Sequence, residues 1–187
     1  MPVVAIIAGL SGVGKTWLLQ RVMKTVPGQL LSASRLIELE LNRSHSEPVR
    51  HDDLRTLDIT TNQEALVMGF ARAAEHVDGL VVLDAHVVID TPNGLEFVPY
   101  YVFSKLTPSL FIFINDNPRA ILQRRLQDSA RSRPFRDVED LARQQSQALA
   151  AARQIAADLS VPFYITPAGD VEGLTALLMK QIEADHG

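Results

Sequence analysis

The feature that most constrains this chain is residues 9–16, G-L-S-G-V-G-K-T, which match the pattern G-x-x-x-x-G-K-[ST] in full. The apolar, β-branched run at residues 3–8 predicts a buried strand before it, and residues 17–26 predict a helix after it. Strand, glycine loop and helix in this order are the context in which the pattern forms a phosphate-binding loop, or P-loop. The alternative, a glycine-rich turn that binds nothing, is disfavoured by that context.

Each part of this loop has an expected role. Glycines let consecutive backbone N–H groups turn toward phosphate oxygens, and the following helix directs its positive N-terminal end at the same anion. Lys15 is expected to reach the β- and γ-phosphates, and the Thr16 hydroxyl to hold Mg²⁺. The sequence therefore predicts a nucleoside triphosphate site that uses seven residues of the loop: Gly9, Ser11, Gly12, Val13, Gly14, Lys15 and Thr16.

Composition limits the other possibilities. The 187 residues suit one domain, and 47% apolar with 21% charged residues is ordinary for a globular protein. The net charge of −4 argues against a general attraction to nucleic acid or membrane. Without cysteine the chain has no disulfide, thiolate nucleophile or cysteine-bound zinc. Because we find no leader-like start and no long apolar run, we expect a cytoplasmic protein.

The fold class follows from five short apolar runs that alternate with helical segments. This alternation predicts an α/β protein with a parallel sheet covered by helices. The predicted strands are residues 3–8, 29–32, 80–84, 109–114 and 161–165. Residues 90–99 are rich in turn formers and are expected to lie over the edge of the sheet. Ligands of such sheets bind at the carboxyl ends of the strands, where the glycine loop and Asp84 both fall.

Three groups of polar residues are candidates for chemistry. Asp84 ends a buried strand, where P-loop proteins keep the acid that orients Mg²⁺; otherwise it only caps the next loop. An arginine-rich segment predicts a mobile lid that neutralises a transferring phosphoryl group, or else a self-paired surface loop. Its members are Arg124, Arg125, Arg131, Arg133 and Arg136.

The third group is the basic, irregular segment 43–58, which is either an anionic acceptor site or a plain charged surface. His86 follows Asp84 closely and is either an acceptor ligand or structural. Trp17 is interpreted as core packing rather than as a platform for a base.

Together these segments resemble the archaeal-type adenylate kinases, within the P-loop nucleoside-monophosphate kinase group. Four pieces carry the resemblance in order: the loop 9–16, D-L-R-T-L-D at 53–58, D-A-H-V-V-I-D-T-P-N-G at 84–94, and R-R-L at 124–126 followed by Arg131 and Arg133. The resemblance implies a P-loop kinase fold with a five-stranded parallel sheet and helices on both faces. It also implies a single domain, residues 1–187, with an acceptor-binding segment at 33–78 and a lid at 128–137.

The resemblance also implies residue roles. Arg55 would contact the acceptor phosphate, and Asp84 and His86 would lie between donor and acceptor. Arg125 would stack near the donor base, although the choice between Arg124 and Arg125 stays open. Four residues would be catalytic: Lys15, Arg131, Arg133 and Asp84. Mg²⁺ would be held by Thr16 and Asp84.

The chain departs from the family pattern on the acceptor side. The family often has a P-G-L-P type turn where residues 95–99 read L-E-F-V-P, and Asn62 or Gln63 stands where glutamine is expected. The predicted function is therefore Mg²⁺-dependent phosphoryl transfer from ATP, with AMP or another nucleoside monophosphate as the first choice of acceptor. The alternatives are a nucleotide-dependent binding or assembly ATPase, and a kinase for a non-nucleotide or polynucleotide acceptor. The expected partners are ATP and a small phosphorylated or hydroxyl acceptor, with no membrane; the oligomeric state is left open.

Overall fold

The structure is a computed structural model that describes residues 2–44, 59–92, 94–128 and 133–185. Its centre is a parallel sheet of five strands: β1 (Val3–Ala8), β2 (Gln29–Ser32), β3 (Leu80–Asp84), β6 (Leu110–Asn115) and β7 (Phe163–Pro167). Their order in the sheet is β2-β3-β1-β6-β7. The predicted fold class is confirmed, and every predicted strand is present within two residues of its expected bounds.

The strand register brings the site residues to one edge of the sheet. β1 pairs with β3 from Val3↔Leu80 to Ile7↔Asp84, so the end of β1 and the carboxylate of Asp84 are neighbours. β6 pairs with β1 on its other side, up to Ala8↔Phe113. Because β1, β3 and β6 are buried along nearly their whole length, both faces of the sheet are covered.

Seven helices are found in the described part of the chain. They are α1 (Lys15–Val22), α2 (Ala33–Ser44), α3 (Ile59–Ala74), α4 (Tyr100–Leu106), α5 (Pro118–Gln127), α6 (Val138–Asp158) and α7 (Val171–Asp185). Their starts follow local sequence signals. Asn117 caps α5 with Pro118 in the first turn, and Asp137 forms a capping box with Asp140 at the start of α6. None of the described helices combines the length and apolar character needed to cross a membrane.

Two expectations differ from the structure. The segment predicted only as turns contains an antiparallel hairpin of β4 (Val88–Thr91) and β5 (Gly94–Phe97), separate from the main sheet. Trp17 is not core packing: it is 48% exposed, and the guanidinium of Arg21 lies 3.7 Å from the centre of its ring. Its neighbours Leu18 and Leu19 take the buried face of α1, which leaves position 17 on the solvent side.

Candidate functional site

The P-loop connects β1 to α1 and depends on glycine at its two ends. At Gly9, φ is +154° and an added Cβ would lie 2.8 Å from the carbonyl oxygen of Ile114 on β6. At Gly14, which caps α1, φ is +103°, a left-handed conformation that side chains disfavour. The loop therefore packs tightly against the sheet and enters the helix with its backbone exposed to a ligand.

Lys15 lies buried at the centre of this loop, with 5% of the residue exposed. Its Nζ donates to the carbonyl oxygen of Gly9 at 3.1 Å and lies 3.5 Å from Oδ1 of Asp84. The Asp84 side chain is 20% exposed at the carboxyl end of β3, so a route from solvent to this ion pair remains. The two residues predicted to act together are in contact.

His86 completes the group around Lys15. Its Nδ1 lies 3.0 Å from the carbonyl oxygen of Gly9 and 3.4 Å from Nζ of Lys15. One ring nitrogen cannot donate to the carbonyl and accept from the ammonium at the same time. In the tautomer protonated at Nδ1, the imidazole donates to the Gly9 carbonyl oxygen, which can also accept from Lys15; in the other tautomer, Nδ1 accepts from the ammonium.

Arg124 and Arg125, which the sequence left unresolved, have different environments. The Arg125 side chain is 7% exposed, and its Nε donates to the carbonyl oxygen of Ser11 at 2.9 Å. The Arg124 side chain is 40% exposed, and its Nη1 donates to the carbonyl oxygens of Gly12 at 3.2 Å and Val13 at 3.0 Å. The expected stacking of Arg125 near the donor base stays a prediction; Arg124 is the more accessible of the two.

Arg133, another member of the arginine-rich segment, contacts the same loop. Its Nε donates to the Ser11 hydroxyl at 3.1 Å, and its Nη2 pairs with Asp128 at the end of α5. The remaining nitrogen, Nη1, is buried and has no hydrogen-bond partner in the described residues. A buried guanidinium donor without a partner next to a P-loop is a ready contact for an anion.

A buried ion cluster that the sequence analysis missed lies beside the loop. Asp90 of the hairpin accepts from Arg125 at 3.1 Å, from Arg136 at 3.0 and 3.1 Å, and from Nε2 of Gln144 at 3.1 Å. A second carboxylate, Asp116 after β6, pairs with Arg124. Asp90 directly follows an apolar run, as Asp84 does, whereas Asn115 separates Asp116 from the apolar run of β6.

Of the other predicted site residues, the structure describes Thr16 but not Arg55 or Arg131. Thr16 is exposed in the first turn of α1, as a hydroxyl that reaches a ligand must be. Arg55, with the rest of segment 45–58, lies outside the described residues, and so does Arg131. Within the described residues no cluster of three or more histidine or acidic side chains forms a metal site.

Sequence comparison with known proteins identifies the family of this chain. The profile of the family described as AAA domain matches residues 8–142. The adenylate kinase of Pyrococcus horikoshii is 31% identical over 162 residues, which cover 81% of this chain and 79% of that protein. The chain belongs to the archaeal-type adenylate kinase family. The adenylate kinase of Thermoplasma acidophilum is 29% identical over 188 residues, which cover 97% of this chain and 99% of that protein.

Solved structures agree on the fold. A shikimate kinase from Acinetobacter baumannii superposes with a TM-score of 0.60 at 12% identity, covering 99% of this chain and 95% of that one. A deoxyadenosine kinase from M. mycoides gives 0.55 at 15% identity, with 97% and 98% covered. At these identities the likeness concerns architecture alone. The predicted fold is therefore confirmed. The family match and the relatives named adenylate kinase confirm the predicted family, and this family member is a P-loop phosphotransferase of the nucleotide kinase class.

Proposed function

We propose that this family member transfers the γ-phosphoryl group of ATP to a nucleoside monophosphate, with AMP as the first acceptor to test. The observation that carries the proposal is the buried Lys15 ammonium, held inside the P-loop between the Gly9 carbonyl and the Asp84 carboxylate. The relatives in Pyrococcus and Thermoplasma are named adenylate kinase, which supports AMP as acceptor.

The residues would act mainly by electrostatics and positioning. In such a transfer, charge spreads over the oxygens of the moving phosphoryl group, and donors fixed in a water-poor site stabilise it. Lys15 would exchange its contact with Gly9 for the phosphates. Arg133, whose Nη1 has no partner among the described residues, would donate to the same group. Because a phosphate acceptor is already anionic at neutral pH, no general base is needed.

The donor set suits Mg²⁺, although the ion is not part of the structure. Thr16 offers an exposed hydroxyl and Asp84 a partly exposed carboxylate, the hard oxygen ligands that Mg²⁺ prefers. Two protein ligands are enough for Mg²⁺, because this ion usually keeps several bound waters and also binds the substrate phosphates. When bound, Mg²⁺ would neutralise the triphosphate charge; Thr16 and Asp84 would orient it.

The domain layout stays part of the proposal. The acceptor-binding segment at 33–78 contains α2 and α3, which pack on each other through the close approach of Gly69 to Leu36. The lid at 128–137 contains Arg133 and Arg136, both paired with carboxylates. Arg55 and Arg131 are proposed to serve the acceptor phosphate and the transferred group, as the family resemblance implies.

The proposal is tested by product analysis. Purified protein is incubated with Mg²⁺ and radiolabelled ATP, alone and with each of AMP, CMP, GMP and UMP, and products are separated by thin-layer chromatography. We expect two ADP per AMP consumed, and no transfer by Lys15→Ala. Slow ADP formation from ATP alone, unchanged by every monophosphate, would contradict the kinase assignment and favour the ATPase alternative.

A second candidate is the same transfer to a different small acceptor. The β4–β5 hairpin, where the sequence departs from the family turn, presents exposed Glu96 and half-exposed Phe97. Such a surface suits an acceptor with an apolar ring better than a second highly charged group. The same assay with a panel of nucleosides and small ring alcohols separates the two acceptors.

A further inference from the structure

The buried cluster at Asp90 joins the hairpin to the P-loop. This carboxylate receives two guanidiniums, from Arg125 and Arg136, and the amide of Gln144. Burying charge is costly unless it is paired in good geometry, so a carboxylate with three donors holds them strongly. The cluster thus fixes the position of Arg125.

Arg125 transmits this constraint to the loop. While Nη1 binds Asp90, Nε donates to the carbonyl oxygen of Ser11 at 2.9 Å. The aliphatic stem fits against the next residue, since a Cβ on Gly12 would lie only 2.8 Å from Cγ of the arginine. The fork of the guanidinium binds two partners at once, which a lysine ammonium does not reproduce.

The contact between Arg125 and the Ser11 carbonyl oxygen also sets the direction of the Gly12 N–H, because the two groups belong to one peptide unit. In a trans peptide the carbonyl oxygen of one residue and the N–H of the next point in opposite directions. With the Ser11 oxygen on Arg125, the Gly12 N–H points away from the guanidinium. Arg124 acts likewise on the Val13 oxygen at 3.0 Å, which directs the Gly14 N–H away from that guanidinium. Successive N–H groups on one side of a loop form an anion cradle.

We propose that Asp90 is a positioning residue for phosphate binding. Asp90 holds Arg125, Arg125 holds the Ser11 carbonyl, and the shared peptide presents the Gly12 N–H to a phosphate oxygen of the nucleotide. Asp90 itself touches no substrate. The inference rests on the proposed use of ATP at the P-loop.

The test is Asp90→Asn, which keeps the volume and removes the charge. ATP affinity is measured by calorimetry well below the melting temperature, and the Gly12 amide is followed by ¹⁵N NMR during the titration. We expect ATP affinity and kcat/KM for ATP to fall at least about tenfold, with kcat at saturating ATP within about threefold, and a smaller ATP-induced shift at Gly12. If Asp90 had a purely structural role, the substitution would lower the melting temperature and leave ATP affinity, kcat/KM for ATP and the Gly12 shift unchanged.

Matched control variants test whether Asp90 acts on the P-loop through Arg125. Gln144→Met removes another donor to Asp90, leaves the Asp90–Arg125 pair intact, and is expected to change ATP affinity by less than about threefold. Asp158→Asn, at the far end of α6 where its carboxylate pairs with Gln154, controls for loss of a surface acid. Equal losses in Asp90→Asn and Gln144→Met would overturn the assignment to Arg125.

A second variant keeps the inference testable if Asp90→Asn does not fold. Arg125→Lys retains a cation beside Asp90 but not the two-partner fork, and the same fall of about tenfold in ATP affinity is expected. Unchanged affinity in this variant, or in a folded Asp90→Asn, overturns the inference alone. A wild-type protein that binds no ATP overturns the proposed function and this inference together.

Discussion

Lys15 and His86 share one acceptor in this structure: the ammonium and Nδ1 of the imidazole lie 3.4 Å apart, and each is within 3.1 Å of the Gly9 carbonyl oxygen. A ligand that draws Lys15 onto its phosphates would leave this oxygen to His86. We propose that the histidine would then stabilise the loop after the lysine has moved. Its Nδ1, rather than Nε2, is the atom on which this role depends.

Two substitutions at His86 separate this role from acceptor binding. Asparagine places an amide nitrogen close to the position of Nδ1, whereas glutamine places one near Nε2. If Nδ1 matters, His86→Asn keeps kcat/KM within about threefold, and His86→Gln loses about tenfold, the effect of one hydrogen bond. Steady-state kinetics with ATP varied measure both. The reverse order would assign His86 to the acceptor through Nε2.

Removing the ammonium is expected to stop transfer without unfolding the chain. Lys15→Ala takes away a donor that stabilises the moving phosphoryl group, so we expect a loss of about 10²–10³-fold or more in kcat. Lys24→Ala, at an exposed lysine just beyond α1, is the matched control. Circular dichroism verifies the fold of both. Turnover retained in Lys15→Ala would contradict the role of the P-loop.

Arg133 is expected to act on the rate rather than on donor binding. Its Nη1 is a buried donor with no described partner, and a charged donor of this kind is strongest on a group that gains charge in the transition state. Arg133→Ala should lower kcat by about 10²-fold while ATP affinity changes by less than about threefold. Rapid-quench kinetics and calorimetry measure the two quantities.

The control for Arg133 is Arg143→Ala, at an exposed arginine that pairs with Asp140 on α6. It should change neither quantity. Equal losses of kcat and ATP affinity in Arg133→Ala would mean that this arginine only anchors the nucleotide.

The local sequence pattern was sufficient to predict the strands of the main sheet, but not the hairpin or the exposed position of Trp17. The apolar runs identified all five strands of the sheet. The signal was clearest for β1, β3 and β6, because strands buried on both faces are apolar at nearly every position rather than at alternate ones. The edge strands β2 and β7 are more exposed and were identified by shorter runs. The hairpin at residues 88–97 was missed, since Pro92 and the buried carboxylate of Asp90 break the alternation expected of a strand. Trp17 was placed wrongly in the core, because helix periodicity alone did not show which face of α1 meets the sheet.

The polar contacts of the site were less predictable for a physical reason. Asp90 lies 35, 46 and 54 residues before Arg125, Arg136 and Gln144, so only the packed fold brings them together. Asp84 was found because the P-loop supplies a reason for an acid at the next strand end. No comparable motif identifies Asp90.

Trp17 is expected to report nucleotide binding directly, since it is the one tryptophan of the chain and directly follows Thr16. The ring is half-exposed, and the guanidinium of Arg21 stacks on it. Triphosphate binding at the start of α1 changes the local field and the solvent contact of the ring, so a saturable change in its fluorescence is expected with MgATP. Trp17→Phe should stay active and within about 0.5 kcal/mol of wild-type stability, because the side chain is on the surface. A signal that saturates at an MgATP concentration far from the dissociation constant measured by calorimetry would show that the ring does not report nucleotide binding at the P-loop.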